Sequence, residues 1–254
     1  MQDEAIHGTI INLDVEGSSQ LTNPEKLIMR RVLYDVISNA YDAAKIPSSN
    51  YHLEDRGDGQ LSVIQADVAK VRIVGTWLAT VDKELGHRNA VGDVVPIRLR
   101  IGVHAGEVHR DDNGVAGSDI DLTCRLVDAP VVKETLAAAH GACVVAVVSD
   151  VIYQSVVCHG DRYVVPRHYS RIRISVKETD VPAWITVPGY SVPPVPLGTS
   201  RRATLSQNNL PDRASMTELP SDGGGHNISY VTDSRVRDLH VGDTRNYYGA
   251  QGTS

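Results

Sequence analysis

The chain has 254 residues, 41% apolar and 22% charged, with a formal net charge of −6, so it holds enough apolar matter for one or two cored domains. The negative balance argues against a broad basic face for nucleic acid or a membrane surface, and the longest clean apolar stretch, around Cys143–Val148, is far too short to cross a bilayer. Met1-Gln2-Asp3-Glu4 lacks the basic and then apolar regions of a secretory signal. Cys124, Cys143 and Cys158 lack metal-like spacing and read as reduced, packed thiols, so a cytoplasmic location is expected.

Gly8–Asp14 alternates around Ile10, Ile11 and Leu13 and predicts a strand. Pro24–Ala44 has helical period, with Asn23 as its cap. Tyr51–Glu54 and Gln60–Ile64 flank Asp55-Arg56-Gly57-Asp58-Gly59, a hairpin signal. Asp67–Leu85 has helical spacing, Ile97–Val103 predicts a strand and Gly106–Arg110 another. Helices are expected over Asp119–Ala129, Val131–Ala139 and Asp150–Val157, with strands at Val144–Val148, Tyr169–Val176 and Ala183–Val187. The order β-α-β-β-α-β with C-terminal additions predicts an α+β, ferredoxin-like domain: an antiparallel sheet with helices on one face.

Composition shifts near Gly189. Pro193-Pro194-Val195-Pro196 opens a stretch rich in Ser, Asn, Pro and Gly. Residues 191–254 carry six Arg against six acids and no Lys, so the net charge resides on 1–190. We therefore expect a folded domain at 1–190, a flexible linker at 191–226 and a largely disordered tail at 227–254. The tail has apolar residues from Ile228 to Tyr248 that faintly resemble short homotypic segments pairing strand to strand; a disordered terminus with chance apolar residues is the competing reading. Arg201-Arg202-Ala203-Thr204 has the look of a basic phosphorylation site.

The chemistry centres on two acids. Asp14 ends the first strand and Asp58 sits at the hairpin tip, and the topology puts that strand and the hairpin side by side at the centre of the sheet. Hard oxygen ligands on rigid strands suit Mg²⁺ or Mn²⁺, with the Val15 carbonyl as a further ligand and Gly17 letting a triphosphate approach. Taken singly, Asp14 reads as a helix cap and Asp58 as a turn residue; as a pair in this order they read as a metal site.

Four segments in order carry a family likeness: Asn12-Leu13-Asp14-Val15-Glu16-Gly17-Ser18, Arg56-Gly57-Asp58-Gly59, Ile101-Gly102-Val103-His104-Ala105-Gly106-Glu107-Val108 and Gly117-Ser118-Asp119-Ile120-Asp121-Leu122-Thr123-Cys124-Arg125-Leu126. Over roughly Thr9 to Val187 the chain resembles the class III nucleotidyl cyclase domain, nearest a short bacterial branch at or near the pyrimidine cyclases of antiphage signalling. The resemblance implies that Asp14 and Asp58 bind two divalent ions. It also implies that Arg125 stabilises charge on the α-phosphate, that Asp121 stands where an asparagine usually orients the ribose, and that Lys177 grips the terminal phosphates. Gly17 and Ser18 belong to the nucleotide-binding turn. The resemblance further implies a head-to-tail homodimer with shared sites and a nucleoside triphosphate substrate.

Glu54 matches a base-selecting position, and the second such position falls near Asn113 or Gly114. An ionised Glu54 accepts hydrogens from guanine or uracil but cannot donate to adenine N1, so GTP or UTP is expected ahead of ATP. A solvent-facing hairpin carboxylate is the competing reading. Asp121 departs from the pattern, and a degenerate cyclase fold that recruits an effector protein through its tail is the alternative function. A polymerase-like or diguanylate cyclase is less apt, since the chain has no Phe for the Gly-Gly-Asp-Glu-Phe type of hairpin. Arg56 is expected to pair with Asp55. His104 is expected to be a satisfied structural residue, and Cys124 to be packed.

Overall fold

The computed structural model of the chain describes residues 4–92 and 95–196. The 197–226 part of the expected linker and the 227–254 tail, with their two short motifs, lie outside the described residues. Along the chain run β1 (Ile6–Val15), α1 (Asn23–Ala43), β2 (Tyr51–Asp55), β3 (Gly59–Gln65), α2 (Leu78–Val91), β4 (Leu99–Asp111), β5 (Gly114–Ala116), α3 (Ser118–Asp128), α4 (Pro130–Ala138), β6 (Val144–Ser149), α5 (Asp150–Ser155), β7 (Ser170–Val176) and β8 (Thr179–Thr186). The sheet order is β2-β3-β1-β4-β6-β8-β7, with β5 paired to β4. β1 lies antiparallel to both β3 and β4, which is the expected ferredoxin-like core. β6 joins β4 in parallel and starts the additions.

The sheet is covered on both faces, not on one. Ile11, Leu13 and Val15 of β1 pack in one cluster with Val36, Ile37 and Tyr41 of α1 and Val81 and Leu85 of α2. The alternate residue Ile10 packs oppositely with Leu61, Val63, Val108 and Ile120 of α3. A third cluster joins Leu126, Val132 and Leu136 of α3 and α4 to Val145, Val147, Ile172 and Ile185. The continuous apolar run of β6, buried at all six positions, is what a strand between two helical layers requires.

Other boundaries also shift. Strands expected at 97–103 and 106–110 are one strand, because β1 pairs without interruption from Val15↔Leu99 to Ile6↔Val108. The second helix starts near Val71, four residues late, since Val68 closes a turn onto Gln65, and it opens with a π turn at Ile73–Trp77. The cap of α1 is Thr22, not Asn23: Glu25 Oε2 accepts from the Thr22 backbone N–H at 2.7 Å and from its hydroxyl at 2.6 Å. The hairpin flanks β1 only through β3; β2 is the sheet's edge. No helix among the described residues is long and apolar enough to cross a membrane.

Candidate active site

Asp14 stands one residue from the end of β1, opposite Gly59 on one side and Arg100 on the other. The turn carrying Asp58 folds tightly onto β1. A Cβ at Gly59 would fall 2.0 Å from the Leu13 carbonyl oxygen, so only glycine permits the approach. The Val15 N–H donates to the Asp58 carbonyl at 3.1 Å, and Ser18 Oγ donates to Asp58 Oδ2 at 2.6 Å. Asp14, Val15, Gly17, Ser18 and Asp58 therefore share one end of the β1–β3 pair. Gly17 has open space around it and earns its place through a φ of +71°, which turns the chain after β1.

Burial pushes the Asp14 carboxyl above the usual carboxylate range; the neighbouring charges of Asp58 and Asp128 add to the rise, and the Arg100 guanidinium opposes it. Arg100, which no local sequence signal marks, donates its Nε to Asp14 Oδ2 at 2.7 Å and pairs a second nitrogen with the same oxygen. No hydrogen bond among the described residues reaches Asp14 Oδ1 or Asp58 Oδ1. Two crowded carboxylates, each with one free oxygen, fit a hard divalent cation, whose charge would relieve their repulsion. No group of three or more His, Cys, Asp or Glu side chains among the described residues forms a metal cluster. A backbone carbonyl such as that of Val15 and ligand oxygens would have to complete a shell.

Beside Asp58 a cavity of about 440 Å³ opens between α1 and the turn, lined by Ser18, Ser19, Lys26, Arg30 and Arg56. Arg30 donates to Asp55 Oδ1 at 2.9 Å and to the Gly57 carbonyl at 2.7 Å. Arg56 reaches Glu54 Oε2 at 2.7 Å, so the expected Arg56–Asp55 pair does not form. Asp55 turns instead toward α1, where Arg30 takes it.

Glu54 is held firmly. Beyond Arg56, its Oε1 accepts from the Val115 N–H at 2.8 Å and lies 3.3 Å from His52 Nε2. This contact brings Glu54 to the Asn113–Gly114 turn, where a second base-selecting position was expected. The two border a cavity of about 640 Å³ with His52, Arg110 and Asp111.

The remaining predicted residues lie on α3 and at the β7–β8 turn. Asp121 is exposed on α3, one turn before half-buried Arg125. Arg125 donates to Thr179 Oγ1 at 2.7 Å and lies 3.4 Å from Glu178. Lys177 and Glu178 form the two-residue turn between β7 and β8, and exposed Lys177 takes a φ of +50°, rare for a side-chain-bearing residue. Arg125 and Lys177 thus lie at the β7–β8 turn, and no hydrogen bond among the described residues links either to the set around Asp58.

His104 is the buried structural residue expected. Its Nε2 lies 3.1 Å from Asp119 Oδ1, an acceptor to which it donates, and Nδ1 lies 2.8 Å from Ser149 Oγ. Asp119 Oδ2 also accepts the Glu107 N–H at 2.7 Å. A Cβ at Gly106 would sit 2.1 Å from Asp119 Oδ2, so glycine makes room for the carboxylate that seats α3. Cys124 is half-buried against the Ile10–Leu61 cluster, as expected.

The described fold matches solved structures of cyclases. The guanylyl cyclase Cya2 is 20% identical with a TM-score of 0.50, over 74% of this chain and 93% of that one. An adenylate/guanylate cyclase/hydrolase from Silicibacter pomeroyi is 19% identical with a TM-score of 0.51, over 73% and 98%. A bacterial light-regulated adenylyl cyclase is 12% identical with a TM-score of 0.50, over 74% and 53%. No family model and no curated protein matches the sequence. At these identities the likeness establishes a shared fold, and chemistry rests on the site itself.

Proposed function

We propose that this chain is a nucleotidyl cyclase that converts a nucleoside triphosphate to a 3′,5′-cyclic monophosphate and pyrophosphate. The observation that carries the reading is the meeting of Asp14 and Asp58 at one end of β1 and β3, each with an oxygen free. Two divalent ions, Mg²⁺ or Mn²⁺, would supply neutralisation of the phosphates and acidity of the 3′-hydroxyl when bound. The ribose 3′-oxygen loses its proton and bonds to the α-phosphorus, while the bond from that phosphorus to the bridging oxygen breaks and pyrophosphate leaves. The chain's share is positioning and fixed charge. Asp14, Asp58 and the Val15 carbonyl hold the metal end, and Gly17 and Ser18 form the turn against the phosphates. Arg125 and Lys177 of a second copy, in a head-to-tail homodimer, supply cations to the α- and terminal phosphates, and Asp121 faces the ribose.

Glu54 beside Gly114 reads the base, favouring GTP or UTP over ATP, because an ionised carboxylate offers only acceptors. The Asp-Arg-Gly-Asp-Gly turn supports a place in antiphage signalling. Purified protein with Mn²⁺ and each of the four triphosphates tests the reading: a cyclic product from GTP or UTP supports it, and none from any nucleotide ends it. The second reading is a degenerate cyclase fold that acts as an adaptor; Asp121, a carboxylate where an amide is usual, is what favours it.

A further inference from the structure

Asp58 sits on an exposed three-residue turn, yet its carboxylate would have to hold a fixed distance from Asp14 to share an ion. Two bonds steady it from the segment that carries Asp14: Val15 N–H to the Asp58 carbonyl and Ser18 Oγ to the Asp58 carboxylate. A third brace comes from α1. The Arg30 guanidinium forks over the turn, giving Nη1 to Asp55 Oδ1 at 2.9 Å and to the Gly57 carbonyl at 2.7 Å, with Nη2 on Asp55 Oδ2. Asp55 Oδ1 in turn accepts the Gly57 N–H at 2.8 Å. Both backbone polar groups of the residue before Asp58 are thereby tied, directly or through one carboxylate, to a helix seated in the core through Val32, Leu33 and Val36.

We infer that Arg30 and Asp55 form a positioning pair that fixes the Asp58 turn against α1 and so sets the affinity of the Asp14–Asp58 site for a divalent cation. The inference rests on the metal-site reading above. A lone exposed ion pair contributes little, but a two-nitrogen fork that also grips a backbone carbonyl is geometrically exacting. Lysine, with a single ammonium, cannot reproduce it. Groups that orient metal ligands typically change metal affinity about 10–100-fold when removed.

The test uses the full chain with Arg30→Gln, Arg30→Lys and Asp55→Asn. Three readouts are compared: Mn²⁺ binding by electron paramagnetic resonance, the Mn²⁺ concentration for half-maximal cyclase activity, and amide exchange of the 55–59 segment. We expect Mn²⁺ binding weakened about tenfold in Arg30→Gln and Asp55→Asn, with the rate at saturating Mn²⁺ within about twofold of wild type. Faster exchange at 55–59 should accompany this, and Arg30→Lys should recover only part of the loss. In the double variant the two losses should not add. Unchanged Mn²⁺ binding with unchanged exchange in the folded variants overturns the pair's role. Should the wild type bind Mn²⁺ but cyclise nothing, the proposed reaction falls while the binding comparison still decides this inference. Should the wild type bind no Mn²⁺, both fall.

Discussion

Arg100 sets two guanidinium nitrogens on a single oxygen of Asp14 across the β1–β4 pairing, with Nε at 2.7 Å, and leaves the other oxygen free. The guanidinium opposes the rise that burial, and then the charges of Asp58 and Asp128, impose on this half-buried acid. Arg100→Ala removes that cation. We expect a loss of roughly 1–3 kcal/mol of stability at pH 7, the usual cost of stranding a part-buried polar partner. Asp14 already titrates above its ordinary range, and without Arg100 it should rise further. An acid with a raised folded-state pKa favours folding as it protonates, so the deficit should shrink as pH falls through that pKa. Mn²⁺ should also reduce it. Urea melts at pH 7 and at acid pH, with and without Mn²⁺, check this; a deficit independent of both sinks the assignment.

The shared-site arrangement predicts complementation. Asp58→Ala and Arg125→Ala should each lower the rate at least about 10²-fold, the scale of losing one transition-state donor or ligand. Mixing and re-equilibrating the two inactive proteins should restore activity, because one hybrid site keeps both groups. A mixture as inactive as its parts would place the whole site within one chain.

Asp121 is exposed on the first turns of α3, so Asp121→Asn should leave stability within about 0.5 kcal/mol. An amide removes negative charge near the phosphates and gains a donor. The expected result is a lower KM for the nucleotide. A large loss of turnover would mean that the carboxylate itself is used.

Gly106→Ala drives a methyl into the Asp119 carboxylate, which seats α3 through His104 and the Glu107 N–H. Overpacking of this kind costs about 1–3 kcal/mol. Because α3 carries Arg125, turnover should fall with stability. Thermal melts and assays of the same preparation check both, and an unperturbed variant would show that the helix is anchored elsewhere.

The Arg30 hydrogen bond, and then the Gly57 N–H, hold the Asp55 carboxyl below the usual carboxylate range. A depressed folded-state pKa contributes stability above the unfolded value near 3.8 and loses it as pH falls through the folded value. The stability gap between wild type and Asp55→Asn should therefore be constant at neutral pH and close below about pH 3.8. A gap that widens in acid would exclude the pair as its source.

Local patterning announced most elements and both acids of the central pair. Alternation marks β1 and puts Asp14 near its end, and Gly57-Asp58-Gly59 makes a hairpin whoever its neighbours are, because those signals live within a few residues. The continuous apolar run of β6, buried at all six positions, also carries the information that helices cover both faces of the sheet. Tertiary structure alone decided the partners: Arg100 on Asp14, 86 residues apart, Arg30 on Asp55, and Glu54 on the Val115 N–H, 61 apart. Such pairs depend on strand register and on where a helix comes to rest. Both are set by packing the whole apolar surface at once, so no local window of sequence contains them.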